Sequence, residues 1–335
     1  MVIYGIDFGA TNLRIASVDP VNGEILDEPT YLALEDFHSS EELTRRLCSL
    51  IPHGSSVGIC SAGVVDEEAM TIRFSANTSI TEDITFGRDL QERHGCHVTQ
   101  TNDIKAAVQA VARFGEGRGH ANVLLATYSS GFNCALIRAG KNVTTAEFGH
   151  TVYKPDADLY CGCGGRGHLE IYVSGNGAAS MARQYLSIRK LKRHRLLELA
   201  LEDITRASGR DLTPRDLDEP ALYAWALESV SAKHVYRAFA EDPSGKPQAD
   251  IRRIQVRAIA DSFGRMNSVY NPVDIIVLMG SQTKDWDALF EPAIELYRCE
   301  DDTVQLSSMP KPPVVKTRVQ ELGIRGAVAH HLSLG

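Results

Sequence analysis

The chain opens on two apolar segments, Val2–Ile6 and Leu13–Val18, joined by Asp7-Phe8-Gly9-Ala10-Thr11-Asn12. A carboxylate at the end of a buried strand that runs into small residues and straight back into a second strand predicts an antiparallel pair. Tyr31–Leu34, after a turn near Asn22-Gly23, adds a third strand to the meander. Gly9 and Ala10 let backbone N–H groups approach an anion closely, and Thr11 and Asn12 add donors. Asp7 has the chemistry to hold a hydrated Mg²⁺. The same residues also suit a plain hairpin turn, because short glycine loops are common.

Further elements follow in order. Ser39 and Glu42 have capping-box spacing ahead of a helix whose apolar face is Leu43, Leu47, Leu50 and Ile51. Val57–Cys60 reads as a short buried strand ending in Ser61-Ala62-Gly63. Asp103 opens an Ala/Val-rich helix over 104–113 that stops at Gly115, Gly117 and Gly119. Val123–Tyr128 and Cys134–Arg138 pair as a hairpin around Ser129-Ser130-Gly131-Phe132. Residues 174–270 are mainly helical, with Pro214 and Pro220 marking loops and a long helix over Ile251–Tyr270. Ile275–Leu278 is a buried strand entering Met279-Gly280-Ser281, Val314–Thr317 is another strand, and a small-residue helix over Glu321–His331 closes the chain. This order predicts an α/β fold with two lobes. The expected lobes are 1–114 plus 315–335, the smaller, and 115–314, the larger.

At roughly 100–200 residues per domain, 335 residues accommodate two cores. The net charge of −8 disfavours a nucleic-acid partner, which selects for basic surfaces. No stretch approaches the ~18 apolar residues of a membrane span, and the N-terminus reads as a strand rather than a signal peptide. Seven cysteines, an odd number with five scattered, predict a reduced, cytoplasmic protein.

Two clusters carry chemistry. Asn102-Asp103 stands at a helix start, where Asp is as readily a structural cap as a functional group. His150, Cys161, Cys163 and His168 offer four ligands that could complete a tetrahedral Zn²⁺ site, closed and therefore structural, within a glycine-rich loop. The alternative is a glycine-rich loop with two unpaired thiols.

The pairing of Glu147-Phe148-Gly149-His150 with Cys161-Gly162-Cys163-Gly164-Gly165-Arg166-Gly167-His168-Leu169-Glu170 resembles the ROK family (repressors, open reading frames and sugar kinases). The resemblance covers most of the chain. It implies a two-lobed actin/hexokinase-like (ribonuclease H-like) fold with a cleft between the lobes. It also implies ATP-dependent phosphorylation of a hexose hydroxyl, expected at C6 of glucose or a related aldohexose, with Mg²⁺ accompanying ATP and Asp103 as general base. On the acceptor side it implies sugar contacts from Asn77, Asn102, Glu147, His150 and Glu170, with Gly63 beneath the ring. Asp7, Gly9, Thr11 and Asn12, together with Ser130 and Gly131, would serve the phosphates. Gly280 would serve the adenosine side. The counterpart of His150 serves sugar and metal together, and a homodimer is the expected assembly.

The chain also departs from the family. His168 stands where a third Cys is usual, giving a His₂Cys₂ set. Asn133 and Cys134 replace small residues in the second phosphate loop, Thr101 replaces a Glu, and Gly280-Ser281 is a thinner adenosine loop. The nucleotide is thus expected to sit differently, bind weakly or give way to another phosphoryl donor. An N-acetylhexosamine (N-acetylmannosamine or N-acetylglucosamine) kinase and a catalytically weak sugar-binding regulator stand as alternatives. A DNA-binding repressor is disfavoured, because the first phosphate motif begins at residue 7.

Overall fold

The computed structural model describes residues 2–9, 11–74, 80, 83–299 and 309–334. Asn77, expected to contact the sugar, and Ala10 of the first loop lie outside the described residues.

The first half forms one sheet. β1 (Ile3–Phe8), β2 (Asn12–Val18) and β3 (Thr30–Ala33) are the expected meander, followed by helix α1 (Ser40–Leu50) and strand β4 (Ser56–Ser61). Next come a small hairpin of β5 (Val64–Asp66) and β6 (Thr71–Phe74), helix α2 (Phe86–His94), strand β7 (His97–Asn102) and helix α3 (Asp103–Phe114). The sheet order is β3-β2-β1-β4-β7. β1 and β2 pair antiparallel, whereas β4 runs parallel to both β1 and β7. Ser39 caps α1 by accepting from Glu42 N–H, while the Glu42 carboxylate accepts from His38 N–H rather than from its cap. Leu43 and Leu47 of α1 pack with Ile6, Phe8, Leu13, Phe86 and Leu90 on one face of the sheet. Each such side chain, fully buried, contributes about 1.5–3 kcal/mol.

The second half forms another five-stranded sheet. β8 (Asn122–Tyr128), β9 (Phe132–Arg138) and β10 (Lys141–Ala146) are followed by helices α4 (Leu169–Val173), α5 (Gly175–Ile188), α6 (Arg195–Ser208), α7 (Pro220–Ser229), α8 (Ala232–Glu241) and α9 (Gln248–Tyr270). Strand β11 (Ile275–Met279), helix α10 (Glu291–Cys299), strand β12 (Val314–Lys316) and helix α11 (Leu322–Leu334) complete the chain. The order is β10-β9-β8-β11-β12. Tyr128, Phe132, Phe148, Phe263, Phe290 and Tyr297 dominate the core on one face. Several boundaries differ from the sequence reading by a few residues, among them these. α9 begins three residues earlier, at Gln248. Val315 and Lys316 pair with β11, so they belong to the second sheet rather than to the smaller lobe expected from residue 315.

α3 lies between the two sheets. Its Ala106 meets Cys60 and Ala327 of α11, where small residues let helices and strand approach closely, while Ala107, Val108 and Val111 pack on Val123, Leu125, Ile275 and Val277. The two chain crossings beside it are tied together, because the Glu116 carboxylate accepts from Thr317 Oγ1 at 3.0 Å and Arg318 N–H at 2.6 Å. All seven cysteines are free. Among the described residues, no helix is long and apolar enough to cross a membrane.

Candidate active site

Three neighbouring parallel strands end side by side. The register sets Asp7 opposite Cys60 and Cys60 opposite Thr101, with Phe8, Ser61 and Asn102 one step further. The segments that leave these ends carry Gly9–Asn12, Ala62-Gly63 and Asp103. Ligands bind outside the carboxyl ends of such strands, and three of the sequence motifs converge there.

The Asp7 carboxylate is buried and heavily engaged. Arg14 pairs with its Oδ2, and Cys60 Sγ donates to Oδ1 at 3.4 Å. Arg14 also reaches Glu321 Oε2, at 2.7 Å, so α11 is tied to the first phosphate motif. A Cβ at Gly323 would collide with both Asp7 oxygens, so a side chain there is incompatible with this carboxylate position. Arg14 is a site residue the sequence reading missed. Its signal was there: a cation seven positions after an aspartate on the next strand of a hairpin meets it across the pair. The turn itself closes through Gly9 N–H to Asn12 O at 3.0 Å, and Thr11 and Asn12 are exposed, their side chains joined at 2.9 Å.

Asp103 is the first residue of α3. Asn102 caps the helix, its Oδ1 accepting from Ile104 N–H at 3.1 Å, and Asp103 Oδ1 shares that donor at 2.8 Å. Asp103 is exposed to solvent, yet crowding by the surrounding residues still pushes its carboxyl up from its ordinary range; Ile104 N–H opposes this and the charge of Asp7 adds to it. The cap role and a raised proton affinity thus coexist in one side chain. Beside it, Thr101 Oγ1 donates to Glu67 at 2.8 Å, and Lys105 donates to the same oxygen at 2.8 Å. A carboxylate from the β5–β6 connection therefore stands beside Thr101. Gly63 links β4 to β5 with φ at 101°.

The cysteine loop gathers a second group of side chains. His150 Nδ1 lies 3.5 Å from Cys161 Sγ and His168 Nδ1 lies 3.3 Å from Cys163 Sγ. The four ligand atoms lie within 4.8 Å of one another. A tetrahedral zinc with ordinary Zn–S and Zn–N bonds separates S from N by about 3.5 Å, so the donor set and its spacing fit that ion. The other ring nitrogen of His150, Nε2, faces away, 3.5 Å from Glu147 Oε2. Glu147 itself is exposed. Burial, then the Glu170 carboxylate, pushes the Cys161 thiol up to about 11, a cost that a bound cation would remove by taking the thiolate.

Glu170 is engaged within the protein. Its Oε2 accepts from Phe132 N–H at 3.0 Å and its Oε1 from Cys161 Sγ at 3.2 Å. The β8–β9 connection is a tight turn of Ser129, Ser130 and Gly131, with Tyr128 opposite Phe132 in the ladder. Asn133 and Cys134, expected to disturb the phosphate loop, instead lie in β9, where Cys134 is buried in the core. They change the strand and not the turn. Ser130 is exposed at its tip.

Gly280 closes β11 with φ at 105°, and a Cβ there would collide with the backbone of Tyr128. The loop after it is followed by a cavity of about 230 Å³. Tyr236, Phe239, Gln248, Arg252, Gln255 and Asp285 contribute to its lining. Both Gln248 and Gln255 are buried, with side-chain oxygens that accept no hydrogen bond. No sequence motif pointed to these residues, because the packing of α8 on α9 and on the segment around Asp285 is what brings them together.

A profile of the ROK family matches residues 3–330. A glucokinase from Thermotoga maritima is 28% identical over 304 residues, covering 88% of this chain and 86% of that protein. An N-acetyl-D-glucosamine kinase from Yersinia enterocolitica is 28% identical over 200 residues, covering 54% of this chain and 66% of that protein. Among solved structures, a ROK family glucokinase from Streptomyces griseus in complex with glucose and AMPPNP superposes with a TM-score of 0.66 at 24% identity, covering 98% of both chains. The ROK hexokinase of Thermus thermophilus superposes with a TM-score of 0.69 at 21% identity over the whole of both chains. These likenesses assign the actin/hexokinase-like fold that the sequence led us to expect. The chain belongs to the ROK family.

Proposed function

We propose that this protein is a sugar kinase that transfers the γ-phosphoryl group of ATP to a hexose hydroxyl, at C6 of glucose or a related aldohexose. The observation that carries the reading is the placement of Asp103. Its carboxyl has a raised proton affinity and stands at the carboxyl end of β7, in the field of Asp7, inside a chain whose relatives include glucokinases. Asp103 takes the proton of the attacking hydroxyl, a contribution of about 10²–10⁴-fold. The rest is positioning and charge stabilisation. Asp7, with one oxygen already held by Arg14, would place the hydrated Mg²⁺ that accompanies ATP. That ion neutralises phosphate charge. Gly9 closes the first turn through its own N–H, and the remaining backbone donors of that turn, with those of Ser130 and Gly131, would hold the phosphates, while Gly280 with the cavity beyond it would take the adenosine.

Asn102, Glu147, His150 and Asn77 would hold the sugar hydroxyls, with Gly63 under the ring. A carboxylate has about four acceptor sites. Two of Glu170's are in use, so it can serve a hydroxyl while holding Phe132. His150, Cys161, Cys163 and His168 would bind one structural Zn²⁺ and so stiffen the wall. The same reading includes two lobes that close on the substrates, 1–114 with α11 and 115–316, a cytoplasmic location and a homodimer.

A second reading, an N-acetylhexosamine kinase, is favoured by the relative from Yersinia enterocolitica. A weak, regulatory sugar binder has less support, because Asn133 and Cys134 lie in β9 outside the turn. ADP release measured with a panel of hexoses and N-acetylhexosamines separates the three. The kinase reading expects turnover that Asp103→Asn lowers by about 10²–10⁴-fold. Sugar binding without turnover would refute it.

A further inference from the structure

Gln282 follows the Met279-Gly280-Ser281 loop and is buried, with 3% of its surface exposed. Its Nε2 donates to Ser129 O and to Val173 O, both at 3.0 Å, and its Oε1 accepts from Tyr236 O–H at 2.7 Å. Two carbonyls on one side admit only the amide nitrogen there, which fixes the orientation of the group and leaves its oxygen to Tyr236. Tyr236 in turn accepts from Gln255 Nε2 at 3.3 Å, and Gln255 also donates to Ser174 O at 3.2 Å. Tyr236 and Gln255 line the cavity beyond Gly280. A closed chain of hydrogen bonds therefore joins that cavity to the β8–β9 turn.

Two of the turn carbonyls face the start of α5. Ser129 O accepts from Gly175 N–H at 2.8 Å as well as from Gln282, and Ser130 O accepts from Asn176 N–H at 3.0 Å. In a planar trans peptide the N–H points opposite to the C=O. Holding Ser129 O and Ser130 O against the start of α5 therefore turns the N–H groups of Ser130 and Gly131 the other way, as two successive donors on the outer side of the turn. Successive backbone N–H groups arranged like this make an anion cradle.

We propose that Gln282 is a positioning residue for the phosphoryl donor: it aims the Ser130 N–H by holding the Ser129 carbonyl, and it ties that peptide to the cavity wall through Tyr236. This rests on the sugar-kinase reading above. It assigns to one buried amide the task of keeping the phosphate turn and the adenosine side in a fixed relation. Gln282→Leu removes all three bonds while preserving an apolar fit. Tyr236→Phe leaves both carbonyl contacts of Gln282 in place and removes the donor to Gln282 Oε1, together with the acceptor of Gln255 Nε2.

The experiment measures KM for ATP, KM for the sugar and kcat for wild type, Gln282→Leu, Tyr236→Phe and the double variant, with calorimetric binding of AMPPNP and of sugar alongside. Gln282→Leu is expected to raise the ATP KM and the AMPPNP Kd by about tenfold, the size of one lost buried hydrogen bond. The sugar KM should stay within about twofold of wild type. Tyr236→Phe should shift the same donor constants by a smaller factor, and the double variant should fall short of the product of the two. A merely structural role would lower Tm and move both substrates' constants together, which overturns the proposal, as do unchanged donor constants in Tyr236→Phe. Should Gln282→Leu fail to fold, Tyr236→Phe decides alone. Failure of the kinase reading appears separately, as wild type that turns over no sugar, and AMPPNP binding then still tests Gln282.

Discussion

Glu170 Oε2 accepts the backbone N–H of Phe132 at 3.0 Å, so the helix that closes the cysteine loop is fastened to the start of β9, directly after the Ser129–Gly131 turn. The cysteine loop and the candidate phosphate turn are therefore one mechanical unit. Two variants separate charge from hydrogen bonding at this point. Glu170→Gln keeps a carbonyl oxygen for Phe132 and should leave stability nearly unchanged. Glu170→Leu leaves Phe132 N–H without an acceptor and should cost about 1–3 kcal/mol. Denaturant unfolding checks this. Equal losses in the two variants would show that the bond to Phe132 does not matter.

Zinc should be present at about one ion per chain, as expected for a closed four-ligand site. Removing it by chelation, or weakening its site with Cys163→Ser, should raise the sugar KM more than the ATP KM, because His150 offers Nδ1 to the cluster and Nε2 to the Glu147 side. Elemental analysis of the purified protein, paired with thermal unfolding, is the check. Metal-free protein with wild-type folding and sugar KM would sink the assignment.

The strand meander, the Asp103 helix and the His150–Glu170 loop were legible in the sequence, because each is local: alternation, a cap and ligand spacing are written in consecutive residues. What was hidden depends on register and on distant pairing. Glu67 reaching Thr101 and Lys105, and Gln248 and Gln255 meeting Asp285 at a cavity, leave no mark along the chain. The effect of Asn133 and Cys134 was misplaced for the same reason. Only the pairing of Tyr128 with Phe132 shows that the turn ends before them. Glu170 was expected on the sugar, and sequence spacing could not show that Phe132 N–H already occupies part of its carboxylate.

Gly280 sits at φ 105° with the Tyr128 backbone against its α-carbon. Gly280→Ala therefore meets both a strained dihedral, worth about 1–3 kcal/mol, and a backbone collision that no rotamer relieves. The variant should unfold at lower denaturant. Its folded fraction should bind AMPPNP more weakly, with sugar affinity retained. Titration calorimetry with each ligand tests the second part, and equal weakening of both ligands would contradict a role confined to the donor side.

The pH behaviour of Asp103 follows from the causes of its shift. Desolvation and the Asp7 charge both disfavour the ionised carboxyl, so its proton is retained to higher pH than in an ordinary aspartate. A general base works only when deprotonated. kcat/KM should thus fall as pH drops through this raised value, with the acid limb above the ordinary aspartate range. Asp7→Asn removes the repelling charge and should move that limb to lower pH, whatever it does to the absolute rate. Stability should show the opposite face of the same shift. At neutral pH the fold carries an ionised carboxyl it disfavours, a penalty that solvent screens because the side chain is exposed, so Asp103→Asn, which keeps an oxygen for Ile104 N–H, should raise Tm slightly. The gain should shrink as pH falls, because wild-type Asp103 then protonates within the fold and no longer bears the penalty. Thermal unfolding of both proteins across the acid range tests this. A gain that is constant with pH would show that the Asp103 charge is not what the fold disfavours.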